Sequence, residues 1–370
     1  MDLSQGGFTS MGLEFHVDYL QLLSPAGEAS DKAGPIAEDA ELLRRLYRAM
    51  NRTRVFDSKA IALQRTGKLG TFASALGQEA IGVGFGAAMK PYDVLAPSYR
   101  DHGAQFLRGV TMTEILRYWG GDERGSDFEA AKSDFPICVP VATQVAHAVG
   151  AAYAFRLRAE KRVAVTFVGD GGSGNGGFYE ALNMAGVWKA PLVVVINNNG
   201  WAISTPRAIS TAAESLAQKA IAAGVPGRQV DGNDVLAVHV AACEAIEKAR
   251  DGGGPTVVEA ISYRLGDHTT ADDATRYRDP EDSKAAWTRE PISRLRSYLA
   301  AKGFWDREQE TALLEQCREE VESEVARYLS TPAQTCDAMF EHLYATLPSS
   351  MQSQLEEARR FARDAGSDHG

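Results

Sequence analysis

The sequence predicts a doubly wound α/β protein, with a mostly parallel sheet and helices on both of its faces. Three short apolar runs support this prediction, at residues 163–168, 192–196 and 256–261. Strands that are covered on both faces have such almost continuously apolar sequences. Helical stretches separate the three runs, and the alternation of strands with helices is typical of a parallel sheet.

The chain that precedes this region divides at about residue 38. Residues 1–38 lack a sustained hydrophobic periodicity and contain the turn-forming pair Ser24-Pro25. We expect an extended N-terminal arm that is ordered only where it lies on a partner. From Asp39 onward, apolar residues recur at helical spacing, which begins an α/β domain predicted to span residues 39–290.

Three helical stretches are expected to pack on the sheet. Val141 to Glu160 is rich in small residues, Phe178 to Trp188 joins the first two strands, and Leu236 to Arg250 precedes the third. Residues 291–370 are charged and amphipathic, which predicts a helical C-terminal region. We expect its polar end, from Asp364 to Gly370, to be mobile.

The composition argues against several classes of function. A net charge of −10 disfavours nucleic acid and anionic membranes as partners. No apolar run reaches the roughly 18 residues that a membrane span requires. The 4 cysteines lie far apart without C-x-x-C spacing, which argues against a disulfide framework or a thiolate zinc site. Since the N-terminus shows neither a signal nor a transit pattern, the predicted location is the cytoplasm.

Polar segments directly follow the first two predicted strands. Residues 169–174 read Gly-Asp-Gly-Gly-Ser-Gly, and residues 197–201 read Asn-Asn-Asn-Gly-Trp. Because ligands bind outside the carboxyl ends of parallel strands, both segments face the same edge of the sheet. The Asp170 carboxylate, the Asn199 amide oxygen and the Trp201 carbonyl are ligands that suit Mg²⁺ or Ca²⁺, and the glycines let the backbone approach an anion.

The alternative to a ligand-binding site is that the two segments are ordinary tight turns. A lone Gly-Asp-Gly is weak evidence of a site, since Asp and Gly are the commonest turn residues. Two polar segments that end consecutive strands, with a single crossover helix between them, favour a diphosphate bound through a metal ion.

The stretch from residue 169 to residue 205, GDGGSGNGGFYEALNMAGVWKAPLVVVINNNGWAIST, resembles the thiamine-diphosphate motif, in which GDG is followed after a little under 30 residues by NN. It is most similar to the α subunits of pyruvate and branched-chain 2-oxo acid dehydrogenases. Residues 98–103 (SYRDHG), 229–234 (QVDGND) and 263–273 (YRLGDHTTADD) resemble further segments of these proteins. The resemblance extends from about Leu42 to beyond Leu299, and it implies the thiamine-diphosphate-binding fold.

The resemblance assigns a metal site and a cradle for the cofactor. Asp170, Asn199 and the Trp201 carbonyl are implied to bind Mg²⁺ or Ca²⁺. The other cofactor-binding positions that it implies around this metal are Gly169, Gly171, Gly172 and Val141.

The resemblance also implies residues for the diphosphate and the reacting centre. Tyr99 and Arg100 correspond to residues that contact the cofactor phosphates, and an Arg fork suits a phosphate group. His268 lies in a loop that resembles the one carrying an active-site His, and His102 lies where pyruvate dehydrogenases often have a His near the cofactor. Both are predicted catalytic residues.

A second cation is implied by the segment from residue 138 to residue 144. Cys138, Pro140, Thr143 and Gln144 resemble the potassium-binding segment of branched-chain enzymes, while a plain helix N-terminus explains the same pattern equally well. Where branched-chain relatives carry an Arg near the diphosphate, this chain has Asn197.

The resemblance further implies oxidative decarboxylation of a 2-oxo acid and transfer of the acyl group to a lipoyl-bearing E2 acyltransferase. Proteins of this kind need a second domain that supplies a Glu to the cofactor, and Glu79 is the only tempting Glu of this chain. Because we interpret Glu79 as structural, we expect an E1 β subunit and an α₂β₂ heterotetramer.

The choice of substrate stays open. Residues 216–229 favour pyruvate, whereas residues 141–144 and 291–295 favour a branched-chain 2-oxo acid such as 3-methyl-2-oxobutanoate; pyruvate is slightly preferred, and an acetoin dehydrogenase α subunit is more remote. Two other classes are a nicotinamide-binding enzyme, since residues 172–177 nearly imitate G-x-G-x-x-G, and a non-catalytic scaffold subunit.

Overall fold

A computed structural model describes the backbone of residues 14–367 and the side chains of residues 14–363. The strands are β1 (Tyr19–Leu20), β2 (Val94–Ala96), β3 (Ala164–Gly169), β4 (Leu192–Asn198), β5 (Trp201–Ala202), β6 (Thr205–Pro206), β7 (Gly227–Asp231) and β8 (Thr256–Ile261). The helices are α1 (Ala40–Arg65), α2 (Glu79–Ala88), α3 (His102–Leu107), α4 (Met112–Trp119), α5 (Thr143–Leu157), α6 (Gly176–Val187), α7 (Arg207–Ser210), α8 (Val235–Arg250), α9 (Pro280–Trp287), α10 (Pro291–Ala301), α11 (Arg307–Leu329), α12 (Ala338–Glu341) and α13 (Ser349–Ser367).

One parallel sheet organises the molecule. Its strands run in the order β1-β7-β8-β4-β3-β2, and β5 and β6 form a separate antiparallel hairpin. The three predicted strands correspond to β3, β4 and β8, which are neighbours in the centre of the sheet. The predicted α/β class is confirmed.

Side chains of the central strands alternate between two buried clusters on opposite faces of the sheet. Val165 and Phe167 of β3 belong to a cluster that includes α1, α2 and α8. Ala164 and Val168 of the same strand belong to a cluster that includes α5 and α6. Since each strand is buried on both faces, its sequence shows no polar alternation.

The N-terminal segment is held on the chain itself from Tyr19 onward. β1 pairs with β7, and the backbone N–H groups of Leu22 and Leu23 each donate to Asp234 Oδ2 at 2.6 Å. Both leucines are buried. The sequence analysis expected this segment to be ordered only on a partner. Instead, the segment from Tyr19 is ordered on the chain itself, by its pairing with β7 and by the Asp234 carboxylate. The expectation for residues 1–13 lies outside the described residues.

The C-terminal region is helical, as predicted. Leu295 and Leu299 of α10 and Leu313 of α11 join the cluster of α1 and α8, so these helices pack on the sheet domain. Helix α13 reaches Ser367, so the first part of the expected mobile tail is helical, and residues 368–370 lie outside the described residues. Within the described chain, no helix is long and apolar enough to cross a membrane.

Candidate active site

A cavity of about 250 Å³ lies at the carboxyl ends of β3 and β4. The two polar segments that follow these strands both line it, because parallel neighbours end at the same edge of the sheet. Other walls come from the loop before α3, from the loop before α5 and from the loop that follows β8. The sequence-predicted residues on this cavity are Tyr99, Arg100, Cys138, Val141, Gln144, Gly169, Asp170, Gly171, Gly172, Asn199, Trp201 and His268.

Asp170 is one of two Asp residues that line the cavity; the other, Asp101, accepts a hydrogen bond from the Ser98 N–H at 2.7 Å. Asp170 is 5% exposed, and its Oδ2 atom is buried without a hydrogen-bond partner among the described residues. Its backbone N–H continues the sheet by donating to the Asn197 carbonyl at 3.2 Å. Burial raises the pKa of the carboxyl group to about 6. A carboxylate in this environment requires a cation or a proton to balance its desolvation.

Asn199 is held in one orientation by its neighbours. Its Nδ2 donates to Gln78 Oε1 at 2.9 Å, and its Oδ1 accepts from the Trp201 backbone N–H at 3.2 Å. Asn197 Nδ2 donates to the same Gln78 oxygen at 2.9 Å. Because both amide nitrogens point to Gln78, the Asn199 oxygen is the atom that can face a cation.

Replacing Gln78 with Leu is expected to destabilise the protein by about 2 to 6 kcal/mol, because two buried amide donors lose their acceptor and each unsatisfied group costs about 1 to 3 kcal/mol. The measurement is urea unfolding of the metal-free chain. Gln78→Glu keeps both acceptor contacts and is expected to unfold closer to the wild type. Equal stability of the Leu variant and the wild type would contradict the role assigned to this side chain.

Arg100 and His268 also line the cavity. Arg100 Nη2 donates to the His268 carbonyl at 2.6 Å and lies 3.0 Å from His268 Nδ1, while Nη1 donates to the Ser74 carbonyl. A guanidinium group can only donate, so Nδ1 is the acceptor and the ring proton lies on Nε2. Burial, followed by the charges of Arg100 and Arg264, lowers the pKa of His268 to about 4. At neutral pH His268 is therefore an uncharged donor.

The His268 loop is fastened by a hydrogen-bond network. Asp272 Oδ2 accepts from the His268 backbone N–H at 2.8 Å and from the Tyr277 hydroxyl. The fully buried Arg264 donates to the Tyr277 oxygen at 2.6 Å and to the Ile203 carbonyl at 2.8 Å. Arg264 thereby joins this loop to the β5–β6 hairpin, which carries Ile203 at the cavity wall.

His102 lies away from the cavity. It is fully buried, stacks on Phe72 at a centroid distance of 5.4 Å, and places Nδ1 3.5 Å from Gln105 Oε1. Burial lowers the pKa of His102 to about 4. The structure brings His268 to the cavity but does not bring His102 there, although both were predicted to be catalytic. Tyr99 does line the cavity, where its ring stands edge-on to the His268 ring at 6.3 Å.

The segment expected to bind potassium forms a compact loop. The Pro140 carbonyl accepts from Thr143 Oγ1 at 2.5 Å and from the Cys138 thiol at 3.3 Å. Gln144 Nε2 donates to the Phe167 carbonyl at 2.6 Å, and its Oε1 atom is buried without a partner in the described chain. The four residues therefore lie together, and α5 begins at Thr143, so both interpretations of this segment stay open.

A metal ion at this site would need ligands other than acidic, His and Cys side chains. Within the described residues, no group of three or more His, Cys, Asp or Glu side chains could hold a metal ion. Asp170 and Asn199 could supply two oxygen ligands to such an ion, and the Trp201 carbonyl could supply a third. Since Mg²⁺ takes about six oxygen ligands, the others would come from water and from an anionic ligand.

A family model of the dehydrogenase E1 component matches residues 47–336 of this chain. The chain belongs to this family. A 3-methyl-2-oxobutanoate dehydrogenase subunit alpha from Mycobacterium tuberculosis is 40% identical over 369 residues, which cover 96% of this chain and 98% of that protein. A pyruvate dehydrogenase E1 component subunit alpha from Staphylococcus epidermidis is 38% identical and covers 92% of each chain. One from Acholeplasma laidlawii is 39% identical, over 87% and 94% of the two chains. The resemblance to 2-oxo acid dehydrogenase E1 alpha subunits is confirmed.

Gln78 and Ser74 belong to the site of this E1 alpha chain but were not predicted from the sequence. Gln78 lies 121 positions before Asn199, and Ser74 lies 26 positions before Arg100. Both belong to the connection between α1 and α2, which contains no chemical motif. Only the unusual burial of Gln78 at 3% exposure distinguishes it, and burial of a single Gln cannot be inferred from one sequence.

Proposed function

We propose that this E1 alpha chain holds the diphosphate of thiamine diphosphate through a divalent metal ion, within a 2-oxo acid dehydrogenase. The observation that carries this proposal is the buried Oδ2 atom of Asp170, which has no partner among the described residues and lies on the same cavity as Asn199. An isolated buried carboxylate is costly unless a cation accompanies it. A nicotinamide site offers no such cation, which disfavours that alternative.

The residues present fit this group. Asp170, Asn199 and the Trp201 carbonyl would bind Mg²⁺, or Ca²⁺ through the same oxygen chemistry, and Arg100 and Tyr99 would meet the diphosphate. The loop after β3 lies directly against β5, since a Cβ atom on Gly171 would approach Ala202 Cβ to 2.5 Å.

Gly172 and Val141 complete this cradle together with the backbone at Gly169. A Cβ atom on Gly172 would meet Val168 at 2.7 Å and Val141 at 3.2 Å, so glycine lets the two loops pack closely. Potassium at Cys138, Pro140, Thr143 and Gln144 is a further proposal, supported by the buried Gln144 Oε1 atom, which has no hydrogen-bond partner among residues 14–363.

The chemistry divides between the cofactor and the protein. When bound, thiamine diphosphate supplies the electron sink for decarboxylation of a 2-oxo acid. Arg100 holds the His268 loop at the cavity through the carbonyl of His268 and fixes the ring tautomer through Nδ1. Neutral His268 can then donate a hydrogen bond from Nε2 to developing negative charge. The low pKa of His268 keeps the ring uncharged at neutral pH.

A second subunit is proposed to complete the site. Glu79 is buried and bonded to Arg54 at 2.6 Å and to the Gly77 N–H at 3.0 Å, so it is engaged in structure. The Glu that the cofactor requires would therefore come from an E1 beta subunit, in an α₂β₂ heterotetramer that passes its acyl group to a lipoyl-bearing E2 acyltransferase. The proposed location is the cytoplasm.

Wild-type protein reconstituted with its beta subunit is expected to bind thiamine diphosphate only when Mg²⁺ is present. Trp201 lines the cavity, so tryptophan fluorescence is a suitable readout. Removal of the metal with EDTA should reverse the change, and NADH should produce none. Binding of the cofactor that is unaffected by EDTA would contradict the proposal.

Pyruvate is the proposed substrate, with 3-methyl-2-oxobutanoate as the second candidate. The relatives named for the two substrates are almost equally similar, at 38 to 40% identity. Residues 216–229 support pyruvate, whereas residues 141–144 and 291–295 support the branched-chain acid. We expect kcat/KM of the reconstituted pair to favour pyruvate by about 10-fold or more, the scale on which a pocket distinguishes a few methyl groups. A preference for 3-methyl-2-oxobutanoate would reverse the assignment.

A further inference from the structure

A buried lysine lies behind the Asp170 loop. Lys219, in the 3-10 turn Ala217–Ala223, is only 6% exposed, although lysine is almost never buried without a compensating contact. Its Nζ atom donates to the Ser173 carbonyl and to Ser173 Oγ, both at 2.9 Å. It also lies 5.6 Å from the centre of the Tyr179 ring, which gives a cation–π contact. Both hydrogen bonds thus end on the loop after β3.

Ser173 links Lys219 to Asp170 through hydrogen bonds. Ser173 Oγ donates to the Asp170 carbonyl at 2.6 Å, and the Ser173 N–H donates to the same carbonyl at 3.2 Å. An ammonium group has no acceptor, so Ser173 Oγ must accept from Lys219, and its single proton is directed to Asp170. Ser173 is fully buried, which gives this chain of hydrogen bonds one fixed polarity.

The turn Ala217–Ala223 is also connected to the end of β4, through Glu259. This carboxylate of β8 is fully buried, accepts from the Ala217 N–H at 2.9 Å, and accepts from Asn198 Nδ2 at 2.7 Å. Asn198 immediately precedes Asn199 at the end of β4. The turn that carries Lys219 therefore contacts the loop after β3 directly, through Lys219, and reaches the end of β4 indirectly, through Glu259 of β8.

We propose that Lys219 is a positioning residue, which holds the Asp170 loop in its metal-binding conformation through Ser173 and supplies positive charge behind the metal–diphosphate site. This inference rests on the proposed function. Groups that hydrogen-bond to the residues around a metal orient the ligands before the metal arrives, and their loss weakens metal binding. Once metal and cofactor saturate the site, the reaction itself does not require Lys219, since the hydrogen bonds of Lys219 end on Ser173.

The test compares Lys219→Met with Lys248→Met in the full chain reconstituted with its beta subunit. Lys248 Nζ makes the same kind of contacts, to the Pro255 carbonyl at 2.9 Å and to Thr256 Oγ1 at 2.8 Å, but at the opposite end of β8. Burial lowers the pKa of both lysines, although Lys248 is more exposed than Lys219. The Lys248 variant therefore controls for the loss of a partly buried lysine that makes the same kind of hydrogen bonds.

Mg²⁺ titrations at fixed thiamine diphosphate, followed by tryptophan fluorescence, give the apparent metal affinity. We expect Lys219→Met to weaken it about 10-fold or more, the usual effect of losing a group that orients a metal ligand, with kcat at saturating Mg²⁺ nearly unchanged. Lys248→Met should leave the affinity unchanged. Equal affinities for the two variants, or a loss confined to kcat, would overturn the inference.

A second variant and a metal-free measurement separate this inference from the proposed function. Ser173→Ala removes the hydroxyl that links Lys219 to the Asp170 carbonyl but keeps the lysine and its bond to the Ser173 carbonyl. Its effect should be smaller than that of Lys219→Met and non-additive with it, because both act through one chain of contacts. Hydrogen exchange of the amides of residues 171–174 should be faster in both variants without any ligand. Additive effects with unchanged exchange would overturn the inference. Wild-type protein that binds no metal would instead overturn the proposed function.

Discussion

Asp170→Asn is expected to abolish metal-dependent binding of thiamine diphosphate and, at the same time, to stabilise the metal-free protein. Losing a group that only orients a metal ligand costs about 10- to 100-fold in affinity, so loss of the ligand carboxylate should exceed 100-fold. The stabilisation has a different cause. Oδ2 is buried without a partner in the described chain, and replacing the carboxylate with a neutral amide of similar size removes the desolvation of a charge.

The stabilising effect of Asp170→Asn depends on pH with a defined sign. Burial raises the pKa of Asp170 from 3.8 to about 6, so the folded protein binds more protons than the unfolded chain between these values. The metal-free wild type therefore loses stability as the pH rises through this interval, by about 2 to 3 kcal/mol at most. The difference between variant and wild type should grow from pH 4 to pH 6 and stay constant above pH 7, measured by urea unfolding in EDTA.

Asp93→Asn is the matched control for Asp170→Asn. Asp93 is also fully buried, but both of its carboxylate oxygens accept from Arg250 at 2.9 Å, at the opposite end of the sheet. Removing one partner of a buried ion pair should destabilise the protein by about 3 kcal/mol or more, without affecting the metal. If Asp170→Asn destabilised the metal-free protein as strongly as Asp93→Asn does, the carboxylate would have a structural partner and the metal assignment would be wrong.

The centre of the sheet could be predicted from the sequence because each strand is buried on both faces. β3, β4 and β8 have continuous apolar runs for this reason, and their predicted positions agree with the structure. β7 was missed because, in Gly227–Asp231, only Val230 is apolar. β1 is too short to carry any periodicity, and its pairing depends on contacts made by residues more than 200 positions away.

The two cavity segments were also predictable, because consecutive parallel strands bring their carboxyl ends to one edge. The residues that hold these segments in place could not be predicted. Gln78, Ser74 and Lys219 act through tertiary hydrogen bonds from segments without a motif, and no local pattern distinguishes them from surface polar residues. The resemblance placed His102 at the site, but it gave no information on Phe72, whose ring stacks on that histidine in the interior.

Arg100→Met is expected to weaken thiamine diphosphate binding by about 100-fold or more, because each hydrogen bond from a buried guanidinium group to a charged or carbonyl acceptor contributes about 1.5 to 3 kcal/mol. Two kinds of contact are lost. The His268 and Ser74 carbonyls lose their common donor, and the cavity loses a buried positive charge. Cofactor titration of the reconstituted pair measures the loss.

The same substitution should raise the pKa of His268. Burial is the main cause of its low value of about 4, and the charge of Arg100 is the next. Removing this charge favours the imidazolium form, so the pKa should move upward but stay below the ordinary value of 6.5, because burial and Arg264 persist. Titration of ¹³C-labelled histidine by NMR in the metal-free protein reports this shift directly.

Two controls distinguish the charge of Arg100 from its geometry. Arg100→Lys keeps the charge but cannot reach both carbonyls, so the pKa of His268 should stay low while cofactor affinity still falls. Arg108→Met removes another arginine with a buried side chain, which bonds Asp134 at 2.8 Å outside the site, and should change stability without changing either quantity. A pKa for His268 that is identical in the wild type, Arg100→Met and Arg108→Met would contradict the contact between Nη2 and Nδ1. His268 would then be held at the cavity by its own loop, and the neutral donor at Nε2 would lose its structural basis.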